Sequence, residues 1–211
     1  ANNGSCSGKT KGKWSTAVPP LAHCQGAKLG PTDYFGRTMV EKTDPQIKVG
    51  VIVVAVAGCS IKLFDKDQYK SYAQGQQSWM TQRINTYGGN PYGRLIEMAK
   101  KAQEEGVIKG IIFHQGESDG TDDNWRRTVY KTYKDIIDAL DLDENEVPFV
   151  AGELLQEGNN CCGSKNGGIA QLKNNFKKFG LASSKGLQGN GKDPYHFGRA
   201  GVIELGRRYC S

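Results

Sequence analysis

The sequence has no apolar run approaching the roughly 20 residues a helix needs to cross a bilayer, so no membrane partner is expected. Its six cysteines (Cys6, Cys24, Cys59, Cys161, Cys162, Cys210) lack the C-x-x-C spacing and neighbouring histidines of a zinc site. Basic residues exceed acidic ones by 28 to 22, but the resulting +6 is scattered along the chain. Without a basic block, nucleic acid is not an expected partner. Internal repeats and an EF-hand spacing are also missing, and nothing at Ala1 resembles a signal peptide, so any leader is expected to have been cleaved.

What is present suits one soluble domain of 211 residues, long enough to bury a substantial core. The even cysteine count suits disulfides in an exported protein, which predicts secretion. Cys161 and Cys162 pair either with each other or with two distant partners, and the connectivity stays open.

Residues 1–46 are rich in Gly, Pro and Ser, without a period of 2 or 3.6, and read as a long loop with a short helix over Asp33–Val40. "KVGVIVVAVA" (Lys48–Ala57) is a continuous β-branched run, which predicts a strand covered on both faces and ending at Gly58. Apolar residues at Leu95, Ile96, Ala99 and Ala102 recur at helical spacing, with Gly106 as a stop. "VIKGIIFHQ" follows as a strand. A second helix carries Tyr130, Tyr133, Ile136, Ile137 and Leu140, then "VPFVAGEL" reads as a strand. A third helix would place Ile169, Leu172, Phe176 and Phe179 on one side, before a short "GLASS" strand and a last helix with Val202, Ile203, Gly206 and Tyr209. This alternation predicts an α/β fold, a mostly parallel sheet with helices on both faces. Ligands bind outside the carboxyl ends of strands in such sheets. Gly58 to Ser60, His114 to Asp119 and Glu153 all fall at those ends.

In "DPYHFGRAG", Asp193 and His196 are spaced so that the carboxylate can fold back, hold the imidazole tautomer and stabilise its protonated form. The plainer reading is an N-capping Asp and a half-buried His. The glycine-punctuated strand ends "VAVAGCS" and "FHQGESD" shift the balance, because the Gly58 backbone amide and the Gln115 side chain suit a developing oxyanion.

Together "WSTAVPPLAH", "LGPTDYFGR", "AGCSIKLF", "HQGESD" and "DPYHFGRAG" resemble the SGNH hydrolases, in the branch of acetyl xylan esterases (carbohydrate esterase family 6) and sialate O-acetylesterase-like domains. The resemblance implies a flavodoxin-like three-layer α/β/α sandwich and a serine esterase that removes O-acetyl groups from polysaccharide. It assigns His196 as general base, Asp193 as its orienting acid, Glu117 as a second carboxylate, and Gly58 and Gln115 as the oxyanion hole. No metal or organic cofactor is implied; the expected partner is an acetylated polysaccharide or sugar.

One family element is missing. The serine nucleophile belongs to a "GQSNM"-like motif at the end of the first strand, and this sequence contains none. The nucleophile is therefore expected upstream of Ala1, in a segment carrying the first strand; the alternatives are Ser60 acting in its place, or an inactive relative that only binds glycans. "GSCSG" (Gly4–Gly8) imitates a nucleophile elbow around Cys6 but has no strand before it. His114 is read as structural and His23 as a surface residue. Asp119, Asp122 and Asp123 are read as a solvated helix start rather than a calcium site. Tyr92 is assigned to the core, while Trp79 and Trp125 stay open between core packing and stacking on sugar rings.

Overall fold

The computed structural model describes residues 9–21, 29–120, 122 and 124–211. Cys6, His23, Cys24, Asp123 and the "GSCSG" stretch lie outside these residues. Three short strands, β1 (Ile111–Phe113), β2 (Phe149–Gly152) and β3 (Phe179–Ala182), form a parallel sheet in the order β1-β2-β3. Ile111 pairs with Phe149, and Phe149 with Phe179. Around the sheet lie α1 (Pro31–Lys42), α2 (Tyr69–Gln74), α3 (Ser78–Asn85), α4 (Pro91–Gln103), α5 (Trp125–Ala139), α6 (Asn166–Ala170) and α7 (Arg199–Arg208).

Strand alternation builds the layers, since successive side chains leave opposite faces. Ile111, Phe113, Phe149 and Ala151 face a core with Trp125, Val129, Tyr133 and Ile137 of α5 and with Ile169 of α6. Ile112 and Val150 pack the other way, against Leu205 and Tyr209 from the α7 end and Phe35 of α1. Helices cover both sides of a parallel sheet, the expected SGNH-like α/β/α arrangement. α4 lies beside α5, where Tyr92 and Ala99 meet Ile136 and Leu140, and Ile52 and Ile108 join them.

Local signals account for the helix starts. α4 begins with Pro91 at its first position and Asn90 as cap, accepting a hydrogen bond from Gly93 N–H at 2.8 Å. α1 begins Gly30-Pro31, and Asp33 accepts from Gly30 N–H at 2.8 Å. α1 and α7 pack closely because Gly206 has no side chain: a Cβ there would lie 2.4 Å from Pro31 O. No helix of the described residues is long and apolar enough to cross a membrane.

Three expectations are corrected. The Lys48–Ala57 run is extended but joins no ladder among the described residues, and Val49 and Val51–Val54 are only half-buried rather than covered on both faces. Its apolar residues pack instead into separate clusters, Ile52 toward α4 and Val54 and Val56 toward Met80, Ile84 and Tyr87. The third helix breaks into α6 and a 3-10 turn at Gln171–Asn174, so Phe179 opens β3. α2 and α3 are additional to the expected elements.

Candidate active site

The chain leaves the extended run through a turn at Gly58, whose φ of +78° favours glycine. The turn is pinned group by group. Val56 O accepts from Cys59 N–H, Ala57 O from Arg83 Nη1, Gly58 O from Ser118 Oγ, Cys59 O from Gln115 Nε2, and Ser60 O from Leu63 N–H. Cys59 N–H, Ser60 N–H and Ile61 N–H donate to Val56 O, Tyr72 Oη and Asp119 Oδ2. Between Gly58 and Ile61, only the Gly58 N–H has no acceptor among the described residues. A rigid turn with one unspent donor is what an oxyanion site requires.

The segment after β1 supplies much of that pinning. Asp119 is buried and accepts from Ser60 Oγ at 2.6 Å, from Ile61 N–H at 3.0 Å and from Gln115 Nε2. It is a brace between segments, which corrects its reading as part of a solvated helix start. Asp122 is closer to that reading, capping Asn124 N–H at 2.9 Å and facing Lys62 at 3.8 Å. Gln115 is braced at both ends: its amide nitrogen serves Cys59 O and Asp119, and its oxygen accepts from Trp125 Nε1 at 2.8 Å. Both amide hydrogens are engaged, so in this arrangement Gln115 holds the Gly58 turn from beneath. Trp125 is accordingly a core residue, 1% exposed.

Before α7, Asp193 accepts from Asn190 Nδ2 at 2.8 Å and from the N–H groups of Tyr195 and His196 at 2.9 Å each. The Asn190 bond and these backbone donors hold its carboxyl well below the usual carboxylate range. His196 Nδ1 lies 2.8 Å from the same Asp193 oxygen, and the ring is 70% exposed. A carboxylate can only accept, so Nδ1 carries the proton of this bond and the neutral ring's lone pair is left on Nε2. Asn190 was not singled out from the sequence; the pattern N-x-x-D-x-x-H carries its signal.

Both turns abut the 114–119 segment. Ser118 Oγ reaches Gly58 O at 2.9 Å, and the His114 ring lies 6.0 Å from that of Phe197, next to His196. Cys161 and Cys162 form a disulfide with each other; Cys161 N–H donates to Pro194 O at 3.1 Å, and the Cys162 sulfur is 3.9 Å from Glu117 O. His114 Nε2 is 4.0 Å from Glu117, and its Nδ1 is 3.3 Å from the Tyr209 hydroxyl, which donates to Phe113 O. Packing among these groups depresses the His114 pKa, against the opposing pull of Glu117. Burial raises that of Tyr209.

Ser60 is 8% exposed, gives its proton to Asp119 and caps the 3-10 turn Ile61–Phe64 through Lys62 N–H. Cys59 is a free, buried thiol, pushed up to about 12 by burial and by Asp119, and so inert as a nucleophile. Glu153 turns away, accepting from Ser183 Oγ and Ser184 N–H. Tyr92 is in the core, its hydroxyl donating to Asp135 O. Asp65, Asp67 and Asp135 stand close enough to share a cation, but Lys131 Nζ already lies 3.0, 2.7 and 2.8 Å from them.

A parallel α/β fold carrying an Asp-held imidazole is an arrangement compatible with hydrolase chemistry. Residues 4–211 match the family of carbohydrate esterases described as sialic acid-specific acetylesterase, and the chain belongs to that family. It is a carboxylic ester hydrolase, an O-acetylesterase of acetylated sugars.

Proposed function

We propose that this esterase deacetylates polysaccharide of the xylan type, with His196 as general base, Asp193 as its orienting acid and Gly58 N–H as the oxyanion donor. The observation that carries the reading is the exposed His196 ring, held through Nδ1 at 2.8 Å by Asp193. In the reaction Nε2 takes the serine proton as the hydroxyl attacks the acetyl carbonyl. The oxyanion of the tetrahedral intermediate then rests on Gly58 N–H, and the imidazolium returns the proton to the departing sugar oxygen. A water deprotonated by the same nitrogen hydrolyses the acetyl-enzyme. Glu117 supports the site electrostatically through His114, and Gln115 supports it by holding the Gly58 turn. The 70% exposure of His196 suits a polymer approaching an open face. Sialate is the second reading, favoured by the description of the family. The Cys161–Cys162 disulfide supports export to an oxidising compartment.

The nucleophile in this reading is a serine outside the 211 residues, on an extended segment that pairs with the edge of β1 left without a strand among the described residues. Two observations support it: the Ser60 proton is spent on Asp119, and the β-branched run through Ala57 lacks a ladder partner among the described residues. A fluorophosphonate probe on protein from its natural source should label one serine, and peptide mapping should find it outside this sequence. Label on Ser60 overturns that assignment. Asp193→Asn should cut turnover of p-nitrophenyl acetate by a factor on the order of 10⁴, the loss typical of a mis-set catalytic imidazole. Turnover within tenfold of the parent would remove His196 and Asp193 from the mechanism.

A further inference from the structure

Trp79, in the first turn of α3, is 46% exposed although tryptophan is among the costliest side chains to leave in water. Nothing about it is loose. Its Nε1 donates to Gln77 Oε1 at 2.8 Å, and the Arg83 guanidinium lies 4.8 Å from the ring centroid. The six-membered edge lies against the Gly58 turn, where a Cβ on Gly58 would be in van der Waals contact with Trp79 Cη2 at 3.4 Å. Arg83 is fixed in turn, donating through Nη1 to Ala57 O at 2.9 Å. The indole is thus oriented by three contacts, beside the Gly58 amide, which has no acceptor among the described residues. A pre-set aromatic surface costs a ligand little ordering entropy, the property that makes such rings effective binding platforms.

We infer that Trp79 and Arg83 form a sugar subsite flanking the Gly58 amide, in which a pyranose stacks on the open indole surface and Arg83 reads a carboxylate on the carbohydrate. The inference rests on the esterase reading and adds to it a preference for acidic sugars. Pyranose rings present an apolar face of C–H groups that suits an aromatic surface. Arg83 commits one of its five N–H donors to Ala57 O, leaving a fork that matches carboxylate geometry. Two kinds of acidic carbohydrate offer that group: a uronate branch on xylan, or sialic acid, whose carboxylate is on the ester-bearing sugar itself.

The test is calorimetric binding of three probes that carry no O-acetyl ester to cleave: a uronate-bearing xylo-oligosaccharide, its neutral counterpart, and N-acetylneuraminic acid. Trp79→Ala should weaken whichever probe binds by roughly threefold to tenfold, the range for an aromatic contact. Trp14→Ala, a comparably exposed tryptophan outside the site, serves as the control and should bind like the parent. Arg83→Gln should cost an acidic probe about tenfold, as expected for a lost charge-assisted hydrogen bond, and the neutral probe less than about twofold. Equal losses for acidic and neutral probes would mean that Arg83 only steadies the turn, and would overturn the acidic preference. Unchanged binding by Trp79→Ala overturns the subsite. Since binding is read without turnover, a protein that binds these probes but leaves p-nitrophenyl acetate intact refutes the esterase reading and not this one.

Discussion

Asp119→Ala tests whether the Gly58 turn is held from beneath, and its cost can be worked out bond by bond. Asp119 is 6% exposed and accepts from Ser60 Oγ, Ile61 N–H and Gln115 Nε2. Ser60 can rotate its hydroxyl to another acceptor, and Gln115 keeps Cys59 O. The Ile61 N–H is fixed by the backbone and buried, so it loses its partner outright. An unsatisfied buried donor costs about 1–3 kcal/mol, and with partial losses at the other two the sum is about 3 kcal/mol. That is a large share of the roughly 5–15 kcal/mol by which a domain is stable. Urea unfolding followed by circular dichroism should show the midpoint falling with an unchanged slope. Asp122→Ala is the control, since its partners are an exposed Asn124 N–H and Lys62 at 3.8 Å, together worth under about 0.5 kcal/mol. The variant should also lower the Cys59 pKa, because Asp119 acts after burial and alongside Glu117 in holding that thiol up at about 12. Equal stability of Asp119→Ala and Asp122→Ala would refute the bracing argument.

Two further perturbations concern charge. The folded surroundings depress the His114 pKa, so above its unfolded value of about 6.5 the ring is neutral in both states and its contribution is fully present. As pH falls below that value the unfolded chain takes up the proton more readily, and stability is lost down through the folded pKa; His114→Gln should flatten the urea midpoint between pH 6.5 and 5, and parallel curves for the two proteins would rule this out. Lys131→Met leaves Asp65, Asp67 and Asp135 facing one another without their shared ammonium. Burial alone would raise the Asp65 pKa, but hydrogen bonds from Asp67 N–H, Gln68 and Lys131 bring it below normal, so its stabilisation is present above about pH 4 and lost as pH falls. The substitution should cost about 1–3 kcal/mol at pH 7, discounted because Lys131 and Asp67 meet water, and distinctly less at pH 3. An equal cost at both pH values would show that the loss lies in packing and not in charge.

Periodic segments were legible and tertiary ones were not. α4 and α5 follow from apolar spacing, because that spacing alone determines which stripe is buried. The same reasoning ran one element too far at Phe179, whose apolar side chain packs into the same cluster from a strand as it would from a helix. α2 has no buried residue and α3 buries only Met80 and Ile84, so neither leaves a periodic trace in the sequence. The β-branched Lys48–Ala57 run shows the limit from the other side: composition favours a strand, but a strand needs a neighbour. At the candidate site, D-x-x-H was readable because its two residues bond locally, at 2.8 Å across three positions. Asp119 was not, because its partner Ser60 is 59 positions away and an acidic run before a helix ordinarily faces water.

The polar cluster after Phe113 consequently has a different role from the one its composition suggests. Of His114, Gln115, Glu117 and Asp119, the middle amide and the last carboxylate have their hydrogen bonds committed to the 58–61 turn and to Trp125, and His114 lies against Tyr209 and Phe197. Glu117 faces His114 Nε2 at 4.0 Å. The Gln115 amide and the Asp119 carboxylate are committed to the 58–61 turn, in which the Gly58 N–H has no acceptor among the described residues. Fixing a donor before the charge develops removes the reorganisation that water would require, and in electrostatic catalysis that fixing is the larger contribution. The energy of the buried hydrogen bonds is therefore expressed in the direction of the Gly58 amide, and a substitution that leaves Gly58 untouched can still misalign it through Asp119 or Gln115.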